Sequence, residues 1–166
     1  NVIRLCRENN TRLLYASSGI VYHPEWNTDY RKDKVISEQD VATAGIDAVI
    51  ARLFTFFGKR LDEHKAFTHF YHAAKAGKPL QVYGDGSAIR SYMHGSEMGR
   101  QLWAIFEKGE SGEAYDVGDD EPVTMLQLAQ SIIKSTGSKS RIEFVNKPNP
   151  MPFYLPPNTS KTKGLL

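Results

Sequence analysis

The sequence predicts an α/β fold whose core is part of a parallel β-sheet. Two short apolar runs, residues 13–16 and 48–51, have the length and composition of buried strands. Residues 30–44 between them are typical of a helix, which Thr28 or Asp29 would cap. A strand, a crossover helix and a second strand form the βαβ unit, which implies parallel pairing. We therefore expect ligand-binding residues beyond the carboxyl ends of these strands.

The remainder of the chain predicts a mixture of short strands and amphipathic helices. We expect helices over residues 1–9, 62–76, 98–108 and 124–135, and strands over residues 80–83, 91–94, 114–117 and 141–145. Residues 146–160 contain five prolines and are expected to be extended. No internal repeat is present, which argues against a repeat architecture.

Composition indicates an ordinary globular protein. The 166 residues suffice for one hydrophobic core, and a formal net charge of +2 is too small to indicate nucleic acid or an acidic membrane as a partner. Cys6 is the single cysteine, so no intrachain disulfide forms, and we expect a cytoplasmic location. No apolar run reaches the length of a membrane span, and we propose no metal ligands. The chain opens without a methionine inside a predicted helix, so we expect it to be part of a longer protein.

Tyr30 and Lys34 form a Tyr-x-x-x-Lys pair on the helix that follows the first strand. Positions i and i+4 lie on one face of a helix, so the two side chains should be neighbours. An ammonium beside a phenol favours the phenolate, which can take a proton from a sugar hydroxyl or return one to a ketone. Ser18, at the end of the first strand, could hydrogen-bond the same oxygen. These three residues are the candidate catalytic group, with a nicotinamide as the hydride partner.

A second Tyr-x-x-x-Lys match shows how little the spacing means alone. Tyr71 and Lys75 have the same spacing on another predicted helix, but no strand-end serine precedes them. Because the chain contains 8 tyrosines, one chance match is close to an even expectation. We interpret this second pair as a solvent-exposed helix face without a catalytic role.

Five ordered stretches resemble the extended short-chain dehydrogenase/reductase family, in its NAD-dependent nucleotide-sugar epimerase/dehydratase group. They are LYASSGIVY at 14–22, Tyr30-x-x-x-Lys34, ARLFTFFG at 51–58, VYGDGS at 82–87 continuing through Arg90, and AYDVG at 114–118. A further match lies over residues 160–165. The resemblance covers nearly the whole chain, and it is the order of the stretches that makes it specific.

The resemblance implies a role for each matching position. Tyr30 would be the acid/base, Lys34 would support it and bind the nicotinamide ribose, and Ser18 would be the third catalytic hydroxyl. The cofactor would be NAD, with NADP as an alternative, and its contacts would be Ser17, Tyr30, Lys34 and Phe54. The nucleotide-sugar substrate would meet Thr55, Tyr83, Gly84, Asp85, Gly86 and Arg90, the last because a guanidinium suits phosphate oxygens.

The resemblance also implies a domain organisation. Residues 1–58 would form the second half of an NAD-binding domain with a partial Rossmann-type parallel sheet. Residues 59–166 would form a smaller mixed α/β substrate-binding part, with residues 92–118 as a candidate for returning to the sheet. A sheet without its first strands exposes an edge, so we expect a homo-oligomer.

Departures from the family pattern limit what the chain would do alone. The Gly-x-x-Gly-x-x-Gly loop that holds the pyrophosphate is absent from the sequence, so we expect the 166-residue chain to bind NAD weakly. The segment between Tyr22 and Tyr30 is shorter than is usual in the family. Gly19 and Ile20 stand where the family's dehydratases and decarboxylases carry acids.

Two further positions depart from the family pattern, and the functional hypothesis takes them into account. Thr55 stands where many members have an asparagine, and Asn158 stands where an aspartate is common.

We expect NAD-dependent epimerisation of a nucleotide-linked sugar through a keto intermediate. The alternatives are a dehydratase or reductase of the same family, or a fragment that binds a nucleotide sugar without catalysis.

Overall fold

The computed structural model describes residues 2–58, 65–147 and 156–166. The helices in these ranges are α1 (Val2–Glu8), α2 (Asp29–Thr43), α3 (Ala66–Lys75), α4 (Gly95–Lys108), α5 (Met125–Thr136) and α6 (Ser160–Lys163). The strands are β1 (Leu13–Ser18), β2 (Ala48–Leu53), β3 (Phe56–Phe57), β4 (Leu80–Tyr83), β5 (Ile89–Arg90), β6 (Met93–His94), β7 (Ala114–Val117), β8 (Val123–Thr124) and β9 (Ile142–Val145). A 3-10 turn, Gly19–Tyr22, follows β1 directly. No helix in the described ranges has the length and apolar character needed to cross a membrane.

The first of two compact units is built on a parallel sheet. Unit 1 comprises three segments of chain, Asn1–Phe56, Met93–Asp120 and Pro157–Leu166. Its sheet has the strand order β1-β2-β7. Ser18 at the end of β1 pairs with Leu53 of β2, which in turn pairs with Val117 of β7. The carboxyl ends of all three strands therefore lie at one edge of this sheet.

Helices cover both faces of the sheet in unit 1 because β2 is apolar on both sides. Val49 and Ala51 belong to a cluster with Ile105 of α4, whereas Ala48 and Ile50 belong to a cluster with Val41 of α2. Successive strand residues point to opposite faces. Helix α2 and helix α4 consequently pack on opposite faces, and the βαβ unit places the start of α2 near the carboxyl edge.

Side-chain caps define the starts of two helices in unit 1. Thr28 has an extended backbone, and its side chain accepts a hydrogen bond from the N–H of Arg31 at 3.2 Å, so α2 begins at Asp29. His94 caps α4 in the same manner, with Nδ1 accepting from the N–H of Ser96 at 3.3 Å. This cap explains why α4 begins at Gly95, three residues before the predicted start.

Unit 2 comprises two segments, Phe57–Tyr92 and Glu121–Pro156. In it β4 pairs with β9 in parallel, β5 pairs with β8 antiparallel, and α3 packs on α5 and β4. The core consists of buried residues from these elements: Phe70, Ala74, Leu80, Val82, Leu128, Ala129 and Ile132. Thr124 and Gln127 form a capping box at the start of α5.

The predicted α/β class with a parallel sheet is confirmed, while several local expectations are wrong. The strand predicted over 91–94 is limited to β6 at its last two residues, because Ser91 and Tyr92 connect β6 to the preceding strand β5 and belong to neither. Strands β3 and β8, the 3-10 turn and α6 were not predicted, since each is four residues or shorter and has little periodicity. The first residues of the helix predicted over 62–76, and most of the extended stretch predicted over 146–160, lie outside the described residues.

Candidate active site

Lys34 lies at the centre of the candidate site in unit 1. Its Nζ donates a hydrogen bond to the backbone carbonyl of Ala16 at 2.8 Å. The same ammonium lies 5.7 Å from the ring centroid of Tyr30 and 5.1 Å from that of Tyr15. Helix geometry brings Lys34 to Tyr30, and the bond to Ala16 holds the ammonium near the carboxyl end of β1. Tyr15 was not among the predicted site residues.

Ser18 ends β1 and caps the 3-10 turn. Its Oγ accepts a hydrogen bond from the N–H of Ile20 at 3.3 Å. Helix α2 contacts both β1 and the 3-10 turn, and Ala16, the partner of Lys34, lies two residues before Ser18. The structure therefore brings Ser18 to the same edge of the sheet as Tyr30 and Lys34.

Ser17 points away from Ser18, as alternation along a strand requires. It is 3% exposed, and its hydroxyl donates a hydrogen bond to the carboxylate of Glu38 on α2. Glu38 also accepts from Nε and Nη2 of Arg52 on β2, at 3.0 and 2.7 Å. Glu38 and Arg52 were not among the predicted site residues. The sequence did contain a signal for Arg52, because a charged residue inside an apolar strand such as ARLF requires a partner.

Phe54 and Thr55 follow β2 at the carboxyl edge. A Cβ atom on Gly19 would lie 2.7–2.9 Å from three ring atoms of Phe54, and a Cβ on Gly118 would lie 3.0 Å from the Phe54 Cβ. The glycines after β1 and β7 thus provide the space for this side chain. The carbonyl of Thr55 accepts a hydrogen bond from the N–H of Met93 at 3.1 Å.

The residues at this edge have the chemistry to hold the nicotinamide end of a dinucleotide. An ammonium has three donors, and Ala16 takes one from Lys34, which leaves donors for ribose hydroxyls. Tyr30 is 54% exposed, and the Phe54 ring offers an apolar surface beside Gly19. These residues fit that end of the cofactor. The sequence contains no Gly-x-x-Gly-x-x-Gly loop for the pyrophosphate end.

The substrate candidates of unit 2 include a turn that follows β4. Gly84 and Gly86 have φ values of +63° and +78°, in the region that glycine adopts without strain. Oδ1 of Asp85 accepts hydrogen bonds from the Ser87 N–H at 2.9 Å and from its hydroxyl at 2.6 Å. These bonds lower the pKa of the Asp85 carboxyl, so the turn carries a negative charge at neutral pH.

Unit 2 has two cationic side chains among or beside the substrate candidates, Lys147 near Tyr83 and Arg90 on β5. Tyr83 is 42% exposed, and Nζ of Lys147 lies 5.5 Å from its ring centroid. Arg90 lies on β5, opposite Val123 of β8, and its guanidinium donates a hydrogen bond to the carbonyl of Ile89. Unit 2 therefore carries an aromatic face and cations of the kind that bind nucleotides and phosphates.

Tyr71 and Lys75 lie on α3 in unit 2. Tyr71 packs against the core of this unit and stacks with Phe67 at a centroid distance of 6.4 Å, whereas Lys75 is exposed. The interpretation of this pair as a solvent-exposed face is therefore wrong for Tyr71, whose role is packing. In the described part of the chain, no group of three or more His, Cys, Asp and Glu side chains is placed to hold a metal ion.

Comparison with known proteins identifies the family. A sequence profile described as the NAD dependent epimerase/dehydratase family matches residues 1–118. The chain belongs to this family. A curated relative, UDP-glucuronic acid decarboxylase 4 of Arabidopsis thaliana, is 26% identical over 189 residues, which cover 100% of this chain and 42% of the relative. The chain thus spans less than half the length of this relative.

Solved structures of family enzymes share the fold. The dTDP-glucose 4,6-dehydratase from Bacillus anthracis in complex with NAD has a TM-score of 0.83 and 22% identity, over 98% of this chain and 58% of that one. The UDP-glucuronic acid 4-epimerase from Bacillus cereus, in complex with UDP-glucuronic acid and NAD, has a TM-score of 0.84 and 22% identity, over 99% and 58%. The Rossmann-type fold expected from the sequence is confirmed.

Proposed function

We propose that this chain supplies the catalytic residues of an NAD-dependent enzyme that epimerises a nucleotide-linked sugar through a keto intermediate. The observation that carries the proposal is the placement of Tyr30. This residue is more than half exposed beside the carboxyl edge of a parallel sheet, and the Lys34 ammonium lies 5.7 Å from its ring centroid. An accessible phenol beside a fixed cation suits a general base that acts on a sugar hydroxyl.

Each catalytic residue has a distinct task in this proposal. Tyr30, as general base, takes the proton of the reacting hydroxyl while the hydride leaves the same carbon, which yields the ketone. NAD, when bound, supplies the acceptor for that hydride and its source on return. Tyr30 gives the proton back after the sugar presents its other face. Lys34 keeps a positive charge beside the Tyr30 ring. The Ser18 Oγ, which uses a lone pair to cap the 3-10 turn, keeps its own proton to donate to the reacting oxygen.

The packing of Phe54 favours epimerisation over elimination or decarboxylation. Those reactions need an additional acid/base near the sugar, and the family's dehydratases and decarboxylases carry it just after the catalytic hydroxyl. Gly19 has no side chain, and the Phe54 ring occupies the space that one would need. Ile20, the next residue, cannot titrate. Epimerisation needs only one acid/base, which Tyr30 provides.

The nucleotide part of the substrate is assigned to residues of unit 2. We assign the diphosphate to Arg90, because a guanidinium binds phosphate oxygens with two parallel hydrogen bonds. Tyr83 and the turn at residues 84–86 are assigned to the nucleoside, and Thr55 to the sugar. Replacing Arg90 with methionine should raise KM for the nucleotide sugar more than it lowers kcat, since this contact is present before and during the reaction.

Product analysis tests the proposal directly. Protein from the complete reading frame that encodes this chain is incubated with NAD and, separately, with UDP-glucose, UDP-glucuronic acid and dTDP-glucose. An epimerase gives a product of unchanged mass with an altered proton NMR spectrum. Loss of water would identify a dehydratase, and loss of carbon dioxide a decarboxylase. Binding of the sugars without conversion would replace the proposal with a non-catalytic role.

Calorimetry on the 166-residue chain tests whether this chain holds only the nicotinamide end of the cofactor. The nicotinamide end alone offers few contacts, which rarely offset the freedom that a flexible ligand loses on binding. We expect NAD to bind weakly to this chain. Micromolar affinity that Lys34→Met abolishes would contradict the expectation.

We also propose that the protein self-associates. Strand β1 is an edge of the described sheet, and an open strand edge favours pairing with another chain. Sedimentation of the 166-residue chain as a monomer at micromolar concentration would exclude the homo-oligomer.

A further inference from the structure

A hydrogen-bonded network that contains two carboxylates, Glu38 and Asp116, connects four elements of unit 1. Glu38, 9% exposed, accepts from Ser17 and twice from Arg52. The third guanidinium nitrogen, Nη1 of Arg52, donates to the Tyr22 hydroxyl at 2.7 Å. That hydroxyl donates to Oδ1 of Asp116 at 2.8 Å. The network therefore joins α2, β1, β2 and β7, and reaches the 3-10 turn through Tyr22.

Glu38 is adjacent to both parts of the candidate catalytic group. It lies four residues after Lys34 and eight after Tyr30, on the same face of α2. Its partner Ser17 immediately precedes Ser18 on β1. One carboxylate thus contacts the strand that presents Ser18 and belongs to the helix that presents Tyr30 and Lys34.

The stability of the fold is a weak reason for this ion pair. Arg52 and Glu38 have side-chain exposures of 23% and 11%, and removing two charges from water costs about as much as their attraction returns. Apolar residues of similar volume often stabilise a protein as well or better. A bidentate pair, in contrast, fixes both distance and orientation between the elements that carry it.

Arg52 and Tyr22 both keep their protons at neutral pH. The hydrogen bond to Glu38 raises the pKa of Arg52 above its usual value. Burial raises the pKa of Tyr22, although its hydrogen bond from Arg52 opposes that effect. Arg52 therefore remains charged and Tyr22 remains a donor, which suits a rigid frame.

We propose that Glu38 is a positioning residue, which together with Arg52 holds α2 against the end of β1 so that Tyr30 and Lys34 stand beside Ser18. The kinetic consequence rests on the proposed function, but the structural consequence can be measured without substrate. Glu97 and Arg100 on α4 provide a matched control. They form a bidentate pair at 2.7 and 2.9 Å, yet their side chains are 39% and 55% exposed.

The structural test uses the 166-residue chain labelled with ¹³C in tyrosine rings and ¹⁵N in lysine side chains. Glu38→Gln should shift the NMR signals of Tyr30 and Lys34, whereas Glu97→Gln should leave both unchanged. Because a half-buried Arg52 without its carboxylate partner destabilises the chain, the double variant Glu38→Met/Arg52→Met is the second test. It should fold and show the same two shifts. Wild-type Tyr30 and Lys34 signals in a folded network variant would overturn the proposal.

The kinetic test uses the complete protein with the sugar that it converts. Glu38→Met/Arg52→Met should lower kcat by roughly 10- to 100-fold, as a displacement of about 1 Å does, with KM nearly unchanged. Arg52→Lys should retain more activity than Arg52→Met, because it keeps the charge. Unchanged kcat in the folded double variant would overturn the positioning role. An inactive wild-type protein would instead overturn the proposed function, and the NMR result would still decide the positioning.

Discussion

Two helices of this chain carry a tyrosine four residues before a lysine, and their surroundings give the two pairs opposite properties. On α2, Lys34 bonds to a strand carbonyl, and Tyr30 is 54% exposed. On α3, Tyr71 is packed against the apolar core of unit 2, while Lys75 faces solvent. The comparison teaches that helical spacing makes two side chains neighbours, but that the adjacent elements decide which of them is available for chemistry.

The largest expected effect separates the two pairs by activity. Tyr30→Phe should lower kcat of the complete protein by about 10²- to 10⁴-fold, because it removes the acid/base. Tyr71→Phe should leave kcat nearly unchanged, since the ring remains packed. Steady-state rates with the converted nucleotide sugar measure both. A more damaging Tyr71→Phe variant would reverse the assignment of the catalytic tyrosine.

For stability we expect the opposite ranking, with a larger loss on replacing Tyr71 than on replacing Tyr30. Tyr71→Ala should destabilise the chain by about 1–3 kcal/mol, because it leaves a gap beside Phe67 in the core of unit 2. Tyr30→Ala should change the free energy of unfolding by less than about 0.5 kcal/mol, since Tyr30 is more than half exposed. Urea unfolding followed by circular dichroism provides both values. Equal losses would mean that Tyr30 is also a packing residue.

The starts of the two helices offer a smaller contrast. Thr28 caps α2 with its side chain, whereas Lys65 at the start of α3 makes no side-chain cap bond. Thr28→Ala should cost about 1 kcal/mol, and Lys65→Ser should stabilise the chain by up to about 1 kcal/mol. Thermal unfolding of both variants would show it. A neutral Lys65→Ser variant would indicate that α3 gains nothing from a cap.

The smallest expected effect is a loss of stability at alkaline pH, which depends on Tyr92 in unit 2. Burial raises the pKa of Tyr92, whose ring lies 6.4 Å from that of Phe67. The native protein therefore holds this proton to a higher pH than the unfolded chain, whose tyrosines titrate near pH ~10. Stability is complete below that pH and declines above it. Tyr92→Phe should make the decline shallower in unfolding measurements from pH 8 to pH 11, and an unchanged decline would show that burial of Tyr92 does not cause it.

Local patterns were sufficient for the βαβ unit. The apolar runs of β1 and β2 and the Thr28 cap are readable because strands and helix starts depend on neighbouring residues. The short strands β3 and β8 were missed, since a two-residue strand is defined by its partner and has no pattern of its own. The helical region of α4 was predicted, but its exact start depends on His94, an uncommon cap.

In the candidate site, too, contacts within one element could be predicted from the sequence, whereas contacts between distant segments could not. Tyr30 and Lys34 share one helix, so their proximity follows from spacing. The position of Phe54 over Gly19 joins residues 35 positions apart, and no periodicity predicts it. Glu38 was readable in principle, because it continues the Tyr30–Lys34 face, but its partner Arg52 could be identified only once β1 and β2 were paired.

Because the chain passes between the two units four times, synthesis from the N-terminus determines when each can be completed. Strands β1 and β2 emerge in succession from the ribosome, but β7, which pairs with β2, follows only after the first segment of unit 2. Unit 2 cannot be completed until β9 has been synthesised, because β9 pairs with β4 and follows β7 in the chain. A nascent chain that ends at residue 100 therefore lacks a strand partner in each unit, β7 for β2 and β9 for β4, and no single cut in the gene yields either unit intact.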